Sequence, residues 1–148
     1  MVSALHAWPL APILRTLTGG SPSTLGASRK RYEQQATTWS VDRHERWLNW
    51  IVREVGGREP IGYVQAGITV DGDTLVGRLA WVIGTRHQRR GYAREAAGAM
   101  AMWLREQGAR TLVADIHPDH QASMIVARSL GLKAGHHVLE SGEIRWTG

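Results

Sequence analysis

The spacing of hydrophobic residues changes from a period of two to a helical period along the chain. Apolar and polar residues alternate in three segments, 47–53, 61–70 and 75–83, as they do in half-buried strands. Gly56-Gly57 separates the first two segments and Asp71-Gly72-Asp73 separates the last two, and both are turn sequences. We therefore expect an antiparallel meander of three strands with one buried face.

The second half of the chain adds helices to this sheet. Apolar residues recur at helical spacing over 93–104, and Gly108 suits the end of that helix. A short strand over 111–116, a second helix over about 120–130 and a terminal hairpin over 138–146 follow. This order of elements predicts a mixed α/β (α+β) fold, in which helices flank a mostly antiparallel sheet.

The N-terminal third is harder to interpret. Pro9 and Pro12 interrupt an apolar helical pattern, and a polar stretch near 23–35 is typical of a helix. We expect no strand in residues 1–10. The 148 residues are the usual length of one domain, with an irregular or helical part over 1–45 and the core over 46–148.

Composition excludes several kinds of protein. The chain has no cysteine, which rules out disulfide scaffolds, thiolate metal sites and cysteine nucleophiles, and agrees with a cytoplasmic location. It contains no apolar stretch of membrane-spanning length, and the two early prolines argue against a signal peptide.

The charge is basic and depends almost entirely on arginine. Lys+Arg number 18 against 13 Asp+Glu, a net charge of +5, and Lys30 and Lys133 are the only lysines. Arginine pairs well with phosphate and carboxylate, so an anionic ligand is one interpretation. The other interpretation is that the arginine content reflects the base composition of the genome and has no ligand behind it.

The arginines converge at residues 88–93, QRRGYA, between a predicted strand and a predicted helix. The positions are Arg86, Arg89, Arg90 and Arg94. Unpaired N–H groups at a helix start attract anions, and Gly91 would let a ligand approach the backbone. The segment therefore predicts a phosphate site, with a solvated basic turn as the alternative. It is neither a P-loop nor a dinucleotide fingerprint.

These residues resemble the GNAT superfamily of acetyl-CoA-dependent N-acetyltransferases. The family signature, Gln/Arg-x-x-Gly-x-Gly/Ala, corresponds to Gln88, Gly91 and Ala93, and the resemblance extends over about 47–132. Residues 117–123, HPDHQAS, closed by Leu130-Gly131-Leu132, are similar to the RimJ/RimL branch, which acetylates protein N-terminal amines and whose relatives modify small amines. The first strand of the family fold is apparently missing.

The resemblance implies acetyl-CoA as co-substrate and an amine as acceptor. The strand before the motif would offer backbone groups to the pantetheine arm, and its N–H near Val82 or Ile83 would stabilise charge on the reacting carbonyl. The strand residues are Trp81, Val82 and Ile83; the pyrophosphate residues are Arg89, Arg90, Gly91, Tyr92, Ala93 and Arg94. His120 occupies the place of an asparagine that bonds the pantetheine, and Ser123 fits the family pattern.

An acceptor ammonium must lose a proton before its nitrogen can attack a thioester. Asp115 occupies the position at which some relatives have a glutamate base. His117 lies on the same strand face, and histidine exchanges protons near neutral pH. Each could instead be a polar strand-end residue bonded to backbone. The tyrosine acid of some relatives would fall at Ala127, so that acid is absent.

Other interpretations remain open at this stage. A non-catalytic acyl-CoA-binding or sensor module would explain the missing tyrosine. A basic nucleic-acid-binding protein is disfavoured because the arginines cluster at one turn rather than along a stripe. Tyr63, Gln65 and Arg78 could border an acceptor site or face solvent. We expect no metal site, and a missing first strand would leave an exposed sheet edge that favours a homodimer.

Overall fold

The computed structural model describes residues 2–7 and 45–148, which form a seven-stranded sheet with two helices. The strands are β1 (Val2–Ala7), β2 (Glu45–Glu54), β3 (Pro60–Asp71), β4 (Thr74–Ile83), β5 (Ala109–Ile116), β6 (Lys133–Val138) and β7 (Ile144–Thr147). The helices are α1 (Tyr92–Glu106) and α2 (Gln121–Ser129), and a 3-10 turn covers Thr85–His87. The strand order in the sheet is β1-β2-β3-β4-β5-β7-β6.

The predicted meander is confirmed. β2, β3 and β4 pair antiparallel in sequence order, and the hairpin between β3 and β4 turns at the residues expected for it. Gly72 has φ +59° there, a backbone conformation that residues other than glycine rarely adopt. The Thr74 hydroxyl closes the turn by donating to the Asp71 carbonyl at 2.8 Å.

One face of the meander packs against α1. Trp50 pairs with Val64 across β2 and β3, and the Trp50 indole meets Trp103 of α1 edge to face, with ring centroids 5.4 Å apart. Met100 and Leu104 of α1 are fully buried in the same core. This core fixes α1, and therefore the start of α1, relative to β4.

The opposite face is more buried than the alternation predicted. Ile51 and Tyr63 lie opposite each other in the β2–β3 register, are both buried, and pack with Val82 of β4. The expectation of one buried face was therefore wrong at this end of the sheet. Ile51 and Tyr63 each have polar neighbours on their own strand face, so neither strand alone shows a second apolar face. The apolar contact forms only when β2, β3 and β4 are aligned.

The first strand is present, which corrects the expectation that it was missing. β1 pairs antiparallel with β2, from Val2 opposite Glu54 to Ala7 opposite Trp50, with a register shift between Ser3 and His6. A shift of this kind breaks the period of two that identifies a strand from sequence. Since β1 covers the edge of β2, the reason for expecting a homodimer no longer holds.

The remaining elements agree with the prediction except at the terminal hairpin, which begins at Lys133 instead of residue 138. α1, β5 and α2 begin and end within two residues of the expected positions. The helices expected near the N-terminus and over 23–35 lie outside the described residues, apart from the stretch that forms β1.

Candidate functional site

β4 and β5 run parallel and separate partway along their length. Their pairing ends at Arg78 opposite Val113. Beyond that point β4 continues to Ile83 paired with β3, and β5 continues paired with β7. The facing edges, residues 79–83 and 114–116, therefore have no partner strand between them. Backbone N–H and C=O groups need partners, so this gap can hold an extended ligand that supplies them.

The residues predicted to contact pantetheine lie on the β4 side of the gap. Trp81, Val82 and Ile83 are the last residues of β4, all past the point where β5 leaves it. Successive residues of a strand point their backbone groups to alternate edges, so part of this segment's hydrogen-bonding capacity faces the gap. The structure thus places these three residues together at one edge.

The predicted anion site lies where the chain leaves β4 and enters α1. Gln88 donates through Nε2 to the Ile83 carbonyl at 3.0 Å, which ties the turn to the strand end. Gly91 is the residue before the helix and has φ +83°, and no side chain caps the first turn. The first N–H groups of α1 therefore point outward with the positive end of the helix dipole behind them.

Both helices begin at the open end of the gap. Because β4 and β5 are parallel, their C-terminal ends lie at the same edge of the sheet; α1 follows β4 and α2 follows β5. The four predicted arginines are exposed and surround the start of α1: Arg86, Arg89, Arg90 and Arg94. Tyr92 and Ala93 form the first turn of α1 and are partly buried. The arrangement can bind a ligand with a phosphate-rich end and an extended chain.

Glu54, at the end of β2, is a site residue that the sequence analysis missed. The Tyr92 hydroxyl donates to Glu54 Oε1 at 2.5 Å, and Arg90 Nη1 and His87 Nδ1 each lie 3.7 Å from the same oxygen. The hydrogen bond from Tyr92 lowers the pKa of Glu54, and the Glu54 carboxylate raises the pKa of Tyr92. Glu54 therefore anchors the first turn of α1 to the sheet.

Asp115, the first candidate base, is held by an arginine that the sequence analysis did not single out. Arg145, its cross-strand neighbour on β7, donates from Nε to Oδ1 at 2.8 Å and from Nη2 to Oδ2 at 2.9 Å. These two bonds lower the pKa of Asp115, whose side chain is only 17% exposed. Both carboxylate oxygens are therefore occupied, and the group is a weaker base than an ordinary aspartate.

This pair makes stability depend on pH. Because the pKa of Asp115 is lower in the folded protein, its contribution is present above the ordinary carboxyl pKa and is lost as the pH falls through the folded value. We expect Asp115→Asn to lower the free energy of unfolding by about 1–2 kcal/mol at pH 7, with the difference from wild type shrinking as the pH falls below the ordinary carboxyl pKa. Denaturant unfolding at several pH values measures this.

The control for that experiment is Asp73→Asn, in the exposed β3–β4 turn. It should leave the stability unchanged, within about 0.5 kcal/mol, at each pH. A difference between wild type and Asp115→Asn that stays constant as the pH falls would show that the pair acts through packing rather than charge.

His117, the second candidate base, lies just beyond the end of β5. Its Nδ1 accepts from the backbone N–H of Asp119 at 3.3 Å and is 3.6 Å from the Asp119 carboxylate. The side chain is 54% exposed. His117 and Asp115 are therefore two residues apart at the end of β5, but their surroundings differ. Asp115 is bound by two short hydrogen bonds from Arg145, and His117 by one long hydrogen bond from backbone.

His120 caps α2. Its Nδ1 accepts from the backbone N–H of Ser123 at 3.3 Å, a role usually filled by a short polar side chain. One ring nitrogen is therefore occupied by the cap, and the ring is exposed at the open end of the gap. His120 and Ser123 come together through the cap itself.

Residues 2–7 and 45–148 contain neither a metal-binding cluster nor a membrane-spanning helix. No group of three or more His, Cys, Asp or Glu residues in that part of the chain is arranged to hold a metal ion. None of the helices described there is long and apolar enough to cross a membrane.

Comparison with solved structures finds the same fold in several acetyltransferases. The ribosomal-protein-S5-alanine acetyltransferase from Vibrio fischeri has a TM-score of 0.68 and 17% identity, over 94% of this chain and 79% of that one. The microcin C7 self-immunity acetyltransferase MccE, solved with acetyl-CoA and AMP, has a TM-score of 0.67 and 13% identity, over 85% and 72%.

A chimera of spermidine N-acetyltransferase SpeG from Vibrio cholerae with hSSAT has a TM-score of 0.66 and 14% identity, over 88% of this chain and 80% of that one. No curated protein matches the sequence significantly. The model of the acetyltransferase (GNAT) domain family matches residues 3–133, most of the chain. The chain therefore belongs to the GNAT acetyltransferase family.

Proposed function

We propose that the gap between β4 and β5 and the start of α1 together hold acetyl-CoA, and that the acetyl group passes directly to a primary amine of a protein N-terminus or a small molecule. The observation that carries this proposal is the unpaired strand edge that leads to an uncapped helix start. A phosphate-rich group and a long amide-containing arm, the two parts of CoA, have complementary partners there.

The cofactor-binding residues take separate roles in this proposal. Backbone groups of Trp81, Val82 and Ile83 bond the pantetheine arm, with an N–H near Val82 or Ile83 facing the thioester oxygen. The N–H groups and guanidinium groups of Arg89, Arg90, Gly91, Tyr92, Ala93 and Arg94 hold the pyrophosphate. His120 and Ser123, at the start of α2, border the arm from the β5 side of the gap.

Acetyl-CoA supplies an activated acetyl group when it is bound. The chain must orient the amine nitrogen toward the carbonyl carbon, so that a C–N bond forms as the C–S bond breaks. The ammonium gives up two protons, one before its nitrogen attacks and one as the amide forms, and the thiolate gains one from solvent. Holding the two reactants in line can by itself supply much of the rate enhancement, which suits a site without a tyrosine at position 127.

For the amine proton, the surroundings favour His117 over Asp115. The Asp115 carboxylate is occupied on both oxygens by Arg145, whereas within residues 2–7 and 45–148 the His117 ring accepts one long hydrogen bond, from backbone. We therefore propose His117 as the base and Asp115 as a positioning residue that fixes Arg145.

The two roles separate in a pH profile. His117→Gln should lower kcat by about 10²-fold at neutral pH and leave a smaller deficit at high pH, where more of the amine is already unprotonated. Asp115→Asn should change kcat by less than about 10-fold with no change in the shape of the profile. A larger loss in Asp115→Asn than in His117→Gln would reverse the assignment.

Two observations bear on which amines this protein acetylates. The likeness of residues 117–123 to the RimJ/RimL branch favours a protein N-terminus. Among the structural neighbours, one is named for a ribosomal-protein alanine and another for spermidine, so this fold accommodates acceptors of different size and charge. A panel of amines and peptides with product detection identifies the acceptor.

Calorimetry with acetyl-CoA tests the binding proposal. We expect one site with a dissociation constant in the micromolar range. Absence of binding at high micromolar acetyl-CoA would refute the proposal. Affinity for nucleic acid that falls steeply with salt, together with indifference to CoA, would instead support a nucleic-acid-binding protein.

A non-catalytic acyl-CoA-binding module is the second candidate function. It is favoured by alanine at position 127 and by the occupied oxygens of Asp115. Acetyl-CoA binding without turnover on any amine of the panel would select this candidate over the transferase.

A further inference from the structure

Arg78 stands at the closed end of the gap, as the last residue of β4 that pairs with β5. Its neighbour Gly77 faces α1, since a side-chain carbon on Gly77 would meet Leu112 and Leu104. Side chains alternate along a strand, so Arg78 points to the opposite face of the sheet. It is exposed there, where its charge helps to lower the pKa of Asp115, and its guanidinium makes no hydrogen bond or salt bridge to a described residue.

The other charges on this face near the gap have partners. Asp115 and Arg145 share a face because they are cross-strand neighbours, and they satisfy each other through two hydrogen bonds. Gly67 is the residue of β3 opposite Arg78, and the Glu45 side chain lies over it. Glu45 also has an interaction partner. Arg78 therefore keeps its donors available for a ligand, five N–H groups in a planar fork.

Among the described residues, none covers the side chain of Arg78, which is exposed although β4 is the central strand of the sheet. Ala80, the next residue on this face, is exposed, and its partner Gln65 on β3 is only partly buried. Gly67 lies opposite Arg78 on β3. Glu45 and Trp47 cover Gly67, so the space left for a ligand beside the guanidinium lies over the exposed Ala80.

The position of the gap suggests which ligand enters this space. The start of α1, where the pyrophosphate would bind, follows the end of β4 on the face that packs against α1. An acetylated arm that passes between β4 and β5 delivers its thioester toward the other face, where Arg78 is exposed. The acceptor amine must approach from that side. This step rests on the proposed function.

We propose that Arg78 binds an anionic group of the acceptor, which is therefore a small amine that carries a carboxylate or a phosphate. A guanidinium fork pairs with either group through two parallel hydrogen bonds. A polyamine would bring a second positive charge toward Arg78 and is disfavoured by repulsion. The proposal narrows the acceptor from any primary amine to one with an anion near the nitrogen.

Matched acceptors test this inference. β-Alanine and β-alaninamide differ in one charge and little in shape, and ethanolamine phosphate and ethanolamine extend the comparison to phosphate; spermidine represents the polyamines. The carboxylate makes the amine more basic and so less reactive at neutral pH, so a preference for the acid cannot arise from amine reactivity. We expect kcat/KM to favour the anionic member of each pair by at least about 10-fold.

Arg78→Gln should remove that preference through the KM of the anionic acceptor, while the KM of β-alaninamide and the affinity for acetyl-CoA stay unchanged. Arg78→Lys should keep part of the preference, because it retains the charge without the fork. Arg46→Gln, at an exposed arginine of β2, is the matched control and should behave as wild type. Thermal unfolding of each variant checks that the fold is retained.

If none of these amines is turned over, N-acetyl-β-alanine and N-acetyl-β-alaninamide are titrated into the CoA-bound protein instead. Tighter binding of the acid, lost in Arg78→Gln, supports the inference. Equal use or binding of charged and neutral partners, or a preference for spermidine, would overturn it while the proposed function stands. Failure of wild type to bind acetyl-CoA would refute the proposed function itself.

Discussion

Replacing Gly91 with valine is expected to lower acetyl-CoA affinity by at least about 30-fold. The residue has φ +83°, and a β-branched side chain in that conformation costs about 1–3 kcal/mol. No atom lies within 4 Å of the position that a side-chain carbon would take, so the cost is one of backbone conformation and not of crowding. The turn should therefore shift, and the first N–H groups of α1 should lose their common direction.

The control for Gly91→Val is Gly72→Val. Gly72 has φ +59° and is equally free of neighbours within 4 Å, but it lies in the hairpin between β3 and β4. It should lose similar stability in thermal unfolding and keep wild-type affinity in calorimetry. If Gly91→Val binds acetyl-CoA as wild type does, or if both variants weaken binding equally, the start of α1 is not the phosphate site.

Replacing Gly62 with alanine is the second substitution with a large expected effect. Gly62 lies on β3 opposite Ile83, and a side-chain carbon there would overlap the backbone carbonyl of Val82 and come within 3.0 Å of Ile83 Cα. Backbone cannot move aside as a flexible side chain can, so the end of β4 must shift. We expect a loss of about 2–3 kcal/mol in unfolding free energy, together with weaker acetyl-CoA binding.

Gly98→Ala is the matched substitution for that test. Gly98 lies within α1, and a side-chain carbon there would meet nothing within 4 Å, so alanine should raise stability by up to about 1 kcal/mol. Urea unfolding and calorimetry on both variants give the comparison. A Gly62→Ala protein with wild-type stability and affinity would show that the last residues of β4 do not have to hold their position.

The sequence predicted the strands and helices whose pattern of apolar residues and turns is complete within one segment. The alternation over 61–83 and its Asp-Gly turn define β3 and β4 without any distant contact, and α1 follows from its apolar stripe. Gly91 could be identified because a glycine directly before a helix often adopts a backbone conformation that other residues avoid. β1 was missed because its register shift gives Val2 and Leu5 a spacing that a helix shares.

Contacts between distant segments could not be anticipated. Glu54 and Tyr92 are 38 residues apart, and Asp115 and Arg145 are 30 apart. The first pair depends on where β2 ends relative to α1, and the second on the register of β5 with β7. Neither is encoded in a spacing along the chain. Both alter the site, since one anchors the helix start and the other occupies the carboxylate first considered as a base.

Amide hydrogen exchange with and without acetyl-CoA tests the central claim most directly. If the gap and the start of α1 hold the ligand, exchange should slow on binding at residues 81–83 and 89–94, while β6, at the far edge of the sheet, stays unchanged. Acetyl-CoA binding that leaves exchange at both segments unaltered, or that protects β6 instead, would contradict the account.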